Sequence, residues 1–371
     1  MACQVILAVA GAGKTHHICN KLDKNKRILI LTFTKQNISN IYRELLSIHK
    51  TIPSHIKAQT FDSFVYNEFI RPYEPSIAQQ FEVKSFSGKG VSLKDPPIIK
   101  KTIKGKEVVN RDYKIDNLRH YVDDRGLYYC KTLSKLALQI KSKNKKEIPH
   151  LIDRAIDRLA LFYDSIYVDE FQDFRLDDFR LLMRLAKRFP CTVFVGDYFQ
   201  HSVIASKNTG FPFEGRNYNS FVEFLEKEKI SVDTNSLQKS RRCPQVVCNF
   251  VKDKLHIPIA SSGINSGRVI WADPIADHIL QDDSIKKLVF KNSNKFNFTC
   301  LNWSYSKGST FKDVCVILTK DFENLDDEQF NLTNQKQITI NKLYVALTRT
   351  SRDLYLIKFS TFKSISAKYI I

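Results

Sequence analysis

Val5-Ile6-Leu7-Ala8-Val9-Ala10-Gly11-Ala12-Gly13-Lys14-Thr15 carries the most specific pattern in the chain. The apolar run 5–9 predicts a buried strand, and the residues after Thr15 fit the first turn of a helix. Strand, small-residue loop, Gly-Lys-Thr and helix together form the context of a phosphate-binding loop. The chemistry needs these residue types. Ala10, Gly11, Ala12 and Gly13 let the backbone approach phosphate oxygens, so that successive N–H groups point inward. The helix start adds partial positive charge. Lys14 would neutralise the outer phosphates, and Thr15 would offer a hydroxyl to Mg²⁺. The loop departs from the usual pattern at its first position, where Ala8 replaces glycine.

Composition bounds what surrounds this loop. The chain has 371 residues, enough for two or three domains and a sizeable core. Apolar residues make up 43%, as in ordinary globular proteins. No apolar run approaches the ~18 residues of a membrane span. The N-terminus carries no secretion-signal pattern, so a cytoplasmic setting is expected. The net charge of +19 points to a polyanionic partner, most simply nucleic acid. The eight cysteines contain no CxxC pair, which argues against zinc and for reduced thiols.

Working outward, 27–34 reads as a second buried strand and 36–46 as an amphipathic helix. Thr60-Phe61-Asp62-Ser63-Phe64 opens another helix. This alternation is that of a parallel α/β sheet. Residues 80–146 change character. Lys84, Lys89, Lys94, Lys100, Lys101, Lys104 and Lys106 crowd one polar segment with Pro96-Pro97, and Lys141, Lys143, Lys145 and Lys146 follow. This predicts a basic insertion suited to phosphate backbones. After a helix at 147–163, the apolar strand Ser165-Ile166-Tyr167-Val168 ends in Asp169-Glu170. Asp169 can hold Mg²⁺ and Glu170 can orient and deprotonate an attacking water. Two adjacent carboxylates closing an apolar strand are costly unless a cation or water satisfies them. The strand at 191–195 ends in Gly196-Asp197-Tyr198-Phe199-Gln200, where Gln200 could sense a terminal phosphate. After about thirty residues the rhythm restarts without a second loop of this kind. Helices are predicted at 245–255 and 341–348, and strands at 269–271, 288–290, 314–318 and 354–357.

The ordered set resembles a superfamily 1 helicase of the Rep/UvrD type over nearly the whole chain. The resemblance rests on Gly11 to Thr15, Leu31-Thr32-Phe33-Thr34, Thr60 to Phe64, Asp169 to Asp173, Gly196-Asp197 with Gln200, Ser240-Arg241-Arg242-Cys243-Pro244, Ser306-Lys307-Gly308, and Tyr344-Val345-Ala346-Leu347-Thr348-Arg349. It implies two RecA-like domains with parallel sheets and an ATP cleft between them. Residues 1–203 would form the first, with the basic insertion; 204–235 would be a linker and 236–371 the second. It further implies that Arg242 and Arg349 contact the γ-phosphate, that Gly308 belongs to the nucleotide site, and that Phe33, Thr34 and Phe64 lie near the nucleic-acid strand. Cationic groups facing the phosphate loop are what a phosphoryl-transfer transition state needs.

The departures from that family are specific. Seven residues precede Ala8, so the adenine contact that the family makes from an upstream glutamine segment is not expected from this stretch, for which Gln4 is a poor stand-in. The aromatic residues after the third motif's glutamine are replaced by His201-Ser202-Val203-Ile204. Asn302 and Ser304 stand where Thr and His are usual, and Ser309-Thr310 where Leu-Glu is usual. The stretch from Pro244 to Asn302 is too short for a large accessory domain. The expected protein is therefore a compact ATP hydrolase that translocates on or unwinds a nucleic-acid strand, DNA first and RNA second, with ATP and Mg²⁺. The alternative is a nucleotide- and DNA-binding subunit that controls a partner nuclease, a setting found in antiviral defence modules. A simple P-loop kinase would not need the second α/β half.

Overall fold

The computed structural model describes residues 2–23, 25–96, 100–103, 106–109, 113–140, 151–201 and 210–370. Along the chain, the elements that position the candidate site begin with β1 (Ala2–Leu7), α1 (Lys14–Asn20), β2 (Ile28–Thr32), α2 (Lys35–His49), β3 (Ile56–Thr60) and α3 (Phe61–Val65). They continue with β4 (Ser165–Asp169), α4 (Leu176–Arg188), β5 (Cys191–Gly196), β6 (Ser231–Asp233) and α5 (Gln245–Leu255). The last are β7 (Val269–Trp271), β8 (Ile285–Val289), β9 (Cys300–Asn302), β10 (Asp313–Ile317), α6 (Gln337–Leu347) and β11 (Leu354–Ile357). The class is α/β with parallel sheets, as expected.

Two compact units form. The first comprises Met1–Cys3, Cys19–Asp169 and Phe174–Val193. In it β2 pairs in parallel with β3, Ile28 opposite Ile56, and with β4, Ile28 opposite Ser165. Every residue of β2 is buried. A strand covered on both faces has no position for a polar side chain, which is why the sequence shows an unbroken apolar run. The strand predicted at 27–34 stops at Thr32 because Thr34 turns to cap α2, its Oγ1 accepting the Asn37 N–H at 3.1 Å. In the insertion, Lys100–Ile103 and Lys106–Val109 pair as an antiparallel hairpin. Pro97, Lys104 and the lysines at 141–146 lie outside the described residues.

The second unit comprises Gln4–Ile18, Glu170–Asp173 and Phe194–Ile371. β1 lies between β6 and β5, with Gln4 opposite Ser231. A five-stranded sheet has the order β7-β11-β10-β8-β9, every neighbour parallel. Its centre, β10, is buried along its whole length. β8 begins three residues before the predicted start. Lys286 and Lys287 break the apolar pattern there, and the buried Lys287 is satisfied by donating Nζ to the Asp282 carbonyl at 2.8 Å. Within 204–235, read as a linker, the described residues hold a helix at Tyr218–Lys227 and the edge strand β6. Residues 202–209, which include Ser202, Val203 and Ile204, lie outside the described set. Among the described residues no helix is long and apolar enough to cross a membrane.

Candidate functional site

The loop from Ala8 to Gly13 is held in the second unit by backbone bonds at both ends. Ala8 N–H donates to the Gly196 carbonyl at 2.7 Å, Val9 N–H to Leu237 at 2.9 Å, and Arg241 N–H to Gly11 at 2.9 Å. Gly11 and Gly13 have φ of 72° and 83°, in the left-handed region. Gly11 is also required by space, since a Cβ there would lie 2.6 Å from Ser240 Oγ and 2.7 Å from Arg242 Cβ. Lys14 and Thr15 open α1, both half-buried.

Lys14 Nζ lies 3.4 Å from Glu170 Oε1. Lys307 Nζ lies 3.5 Å from Glu170 Oε2 and donates to both Asp173 oxygens at 2.6 and 2.8 Å. Gln172 Nε2 also donates to Glu170 Oε2. Burial alone would raise the Glu170 pKa. The Lys14 and Lys307 ammoniums and the amide bond outweigh it and hold the carboxyl down at about 2. Glu170 itself has φ of 56°, uncommon for a residue with a side chain. That kink turns the chain out of β4 and into the short 3-10 turn Phe171–Asp173. Strained backbone of this kind concentrates at functional positions. Asp169, the last residue of β4, is buried in the first unit.

Asp197 is wholly buried at the end of β5. Burial pushes its carboxyl up to about 6, against the pull of Lys14. It accepts from Gln200 Nε2 at 2.8 Å and from the Tyr344 hydroxyl at 3.2 Å. Gln200 is buried and its amide is engaged by this carboxylate. The Tyr344 hydroxyl also accepts the Ala10 N–H at 2.8 Å. One oxygen on α6 therefore ties the phosphate loop to the end of β5. Tyr344→Phe keeps the ring and removes that oxygen, leaving a buried N–H without its acceptor. Unfolding in denaturant should show a loss of about 1–3 kcal/mol.

Two guanidiniums lie in the same unit. Half-buried Arg242 donates Nε to Thr310 Oγ1 at 2.7 Å and Nη1 to the Thr348 carbonyl at 3.1 Å. Arg349, 1% exposed, donates Nε to the Val345 carbonyl at 2.8 Å, Nη1 to Ser309 at 3.3 Å and Nη2 to Thr348 Oγ1 at 3.3 Å. All these acceptors are neutral. Among the described residues no carboxylate lies within ion-pair distance of either arginine. Burial first, and the neighbouring Arg242 charge second, bring Arg349 down to about 9. Gly308, at φ of 81°, follows Lys307 with open space on its Cα.

The expected strand-binding residues are in the first unit. Phe33 is half-buried and meets Phe174 edge-on at 5.8 Å. Thr34 caps α2. Phe64 is fully buried between Phe61 and Phe69, at 6.3 and 5.3 Å, and offers no free face in this structure. Sequence reasoning assigned no role to Asp173, Asp197, Lys307 or Tyr344. The adjacency of Asp173 to Gln172 and of Lys307 to Gly308 was visible, but the partners sit more than a hundred residues away.

Comparison with solved structures finds a similarity to a PRRSV helicase, at 14% identity and a TM-score of 0.44, over 99% of this chain and 54% of that one. An Arterivirus nonstructural protein 10 helicase, solved in complex with DNA, matches at 12% identity and a TM-score of 0.45, over 96% and 61%. The chain thus spans between half and two thirds of the length of these proteins. No curated protein matches it. The profile of the AAA domain family, AAA_19, matches residues 1–205, more than half of the chain and the part that carries the phosphate loop and the Asp169-Glu170 strand end. The chain belongs to the AAA domain family.

Proposed function

We propose that this protein is a nucleic-acid-dependent ATP hydrolase, a compact superfamily 1 motor of the Rep/UvrD type that translocates on a single strand. The observation that carries the reading is the pair Arg242 and Arg349. Two cationic groups in one unit with the phosphate loop share Thr348 as a partner and, among the described residues, have only neutral acceptors. Holding such charge without an anion is costly, and a polyphosphate offsets that cost. The loop suits such a ligand, because Gly11 and Gly13 take left-handed backbone that lets successive N–H groups turn toward one anion. Thr15 and Asp169 are each oxygen donors of the kind Mg²⁺ takes, and such an ion would neutralise phosphate charge.

In this reading Lys14 leaves Glu170 for the phosphates. Glu170 then loses one of its two cations and its basicity rises toward that of an ordinary carboxylate, as activating a water requires. Arg242 and Arg349 stabilise the charge that develops on the transferring phosphoryl group. Gln200 reports the state of that group through Asp197. RecA-like domains at 1–203 and 236–371 would supply the motor, with 204–235 connecting them. Phe33, Thr34 and Phe64 would contact the strand, and Phe64 requires a rearrangement of its packing to do so. The basic balance of the chain suits a phosphate backbone.

The decisive experiment is ATP hydrolysis with and without single-stranded DNA or RNA, with Lys14→Ala marking the background. Strong stimulation by one polymer, absent in the variant, supports the motor and names its track. Turnover indifferent to every polymer, in a folded protein that still binds nucleotide, favours the second reading: a subunit that binds nucleotide and DNA to control a nuclease. That reading is favoured by Phe64, which is fully buried and offers no ring face to a base.

A further inference from the structure

The carboxyl ends of β8 and β9 carry a feature that the ATP chemistry does not use. Between Asp283 and Asp313 the chain has six lysines and no acidic residue. Lys291 and Lys295 are exposed just after β8, and among the described residues neither has a carboxylate partner. Their loop is tied to the end of β9, where Asn302 Oδ1 accepts the Ser293 N–H at 2.9 Å. The 3-10 turn Trp303–Ser306 follows directly. Trp303 is fully buried, donates Nε1 to the Leu288 carbonyl at 3.2 Å and meets Phe290 edge-on at 5.2 Å. Ser306 is equally buried and donates Oγ to the Trp303 carbonyl at 2.7 Å. The turn is therefore pinned at both ends.

On this pinned turn, Tyr305 is 69% exposed, the most exposed aromatic side chain among the described residues. A single exposed ring is ordinary on a protein surface. A ring held on a rigid turn, at the ligand-binding edge of a parallel sheet and in a purely cationic stretch, is a different arrangement. Positive charge tracking a backbone with an aromatic face beside it is how proteins bind single strands without reading sequence. We infer that Tyr305 stacks on a base of a single-stranded nucleic acid whose phosphates lie against Lys291 and Lys295. The inference rests on the proposed polymer-dependent activity. It also places the base on the turn that leads directly into Lys307, which holds Glu170 and Asp173.

The test compares equilibrium binding of a labelled oligothymidylate and of an abasic strand of equal length to the full chain and to Tyr305→Ala and Tyr305→Phe. Tyr305→Ala should raise Kd for oligothymidylate about tenfold. Tyr305→Phe should bind as wild type, and the abasic strand should not distinguish the three proteins. Lys291→Ala with Lys295→Ala should weaken both strands alike and flatten the salt dependence. Equal oligothymidylate binding by wild type and Tyr305→Ala overturns the stacking assignment alone. So does an equal loss on the abasic strand. A wild-type protein that binds neither strand overturns the polymer-dependent reading and this assignment with it.

Discussion

Glu170→Gln is expected to lower polymer-stimulated ATP turnover by about 10²–10⁴-fold while nucleotide binding is retained. The substitution keeps the shape, and the amide oxygen can still accept from Gln172. It removes the carboxylate that lies 3.4 Å from Lys14 and could take a proton there. With the carboxylate gone, Lys14 loses an internal competitor for phosphate, so nucleotide affinity should hold or rise. Phosphate release at saturating polymer gives the first quantity, and equilibrium binding of a fluorescent ATP analogue gives the second. A variant that turns over like wild type would remove Glu170 from the chemistry. The pH dependence carries a sign of its own. The folded-state pKa of Glu170 is depressed, to about 2. Its contribution to stability is therefore present above its unfolded value and lost as pH falls toward 2. Any stability difference between Glu170→Gln and wild type should shrink in acid and be constant near neutrality.

This network also marks the limit of what the sequence could convey. The phosphate loop and the β4 end were legible because their chemistry is local: a strand, a turn and a helix start follow one another within a few residues. The buried strands were legible for the same reason, since burial on both faces leaves an unbroken apolar run. Tyr344 was not. In the sequence it is one aromatic in an apolar helix, and only the fold brings its hydroxyl to Ala10 and Asp197 across more than a hundred residues. Lys307 is hidden likewise, because nothing near it in the chain announces Asp173 as a partner. Thr34 and Phe64 show the opposite difficulty. A threonine after a strand suits a helix cap as well as a strand contact, and the structure uses it as a cap. Phe61 and Phe64 lie three apart on a five-residue helix, and both face the core with Phe174 and Phe69. Periodicity alone does not say which ring is left for a ligand.

Replacing Arg349 separates two roles that its position combines. Its guanidinium donates to Val345 and Thr348 at the end of α6 and to the Ser306 and Ser309 carbonyls, four neutral acceptors that hold the helix end to the Ser306–Ser309 segment, which is a structural task. The same buried charge, without a carboxylate partner among the described residues, is well placed to meet an anion. Arg349→Lys keeps a positive charge but cannot reproduce the fork of donors. If the role is transition-state stabilisation, turnover should fall about 10³–10⁵-fold while half-saturation by ATP changes far less. If the role is only to hold the segment, the thermal midpoint should drop and the surviving folded enzyme should keep its turnover. Arg242→Lys is the companion measurement. Arg242 is less buried and makes fewer bonds within the protein, so its loss should cost little stability. Both lysine variants should lower turnover at nearly unchanged ATP half-saturation, Arg349→Lys the more strongly, because a charge already dehydrated in the resting protein acts on the phosphoryl group without water to screen it.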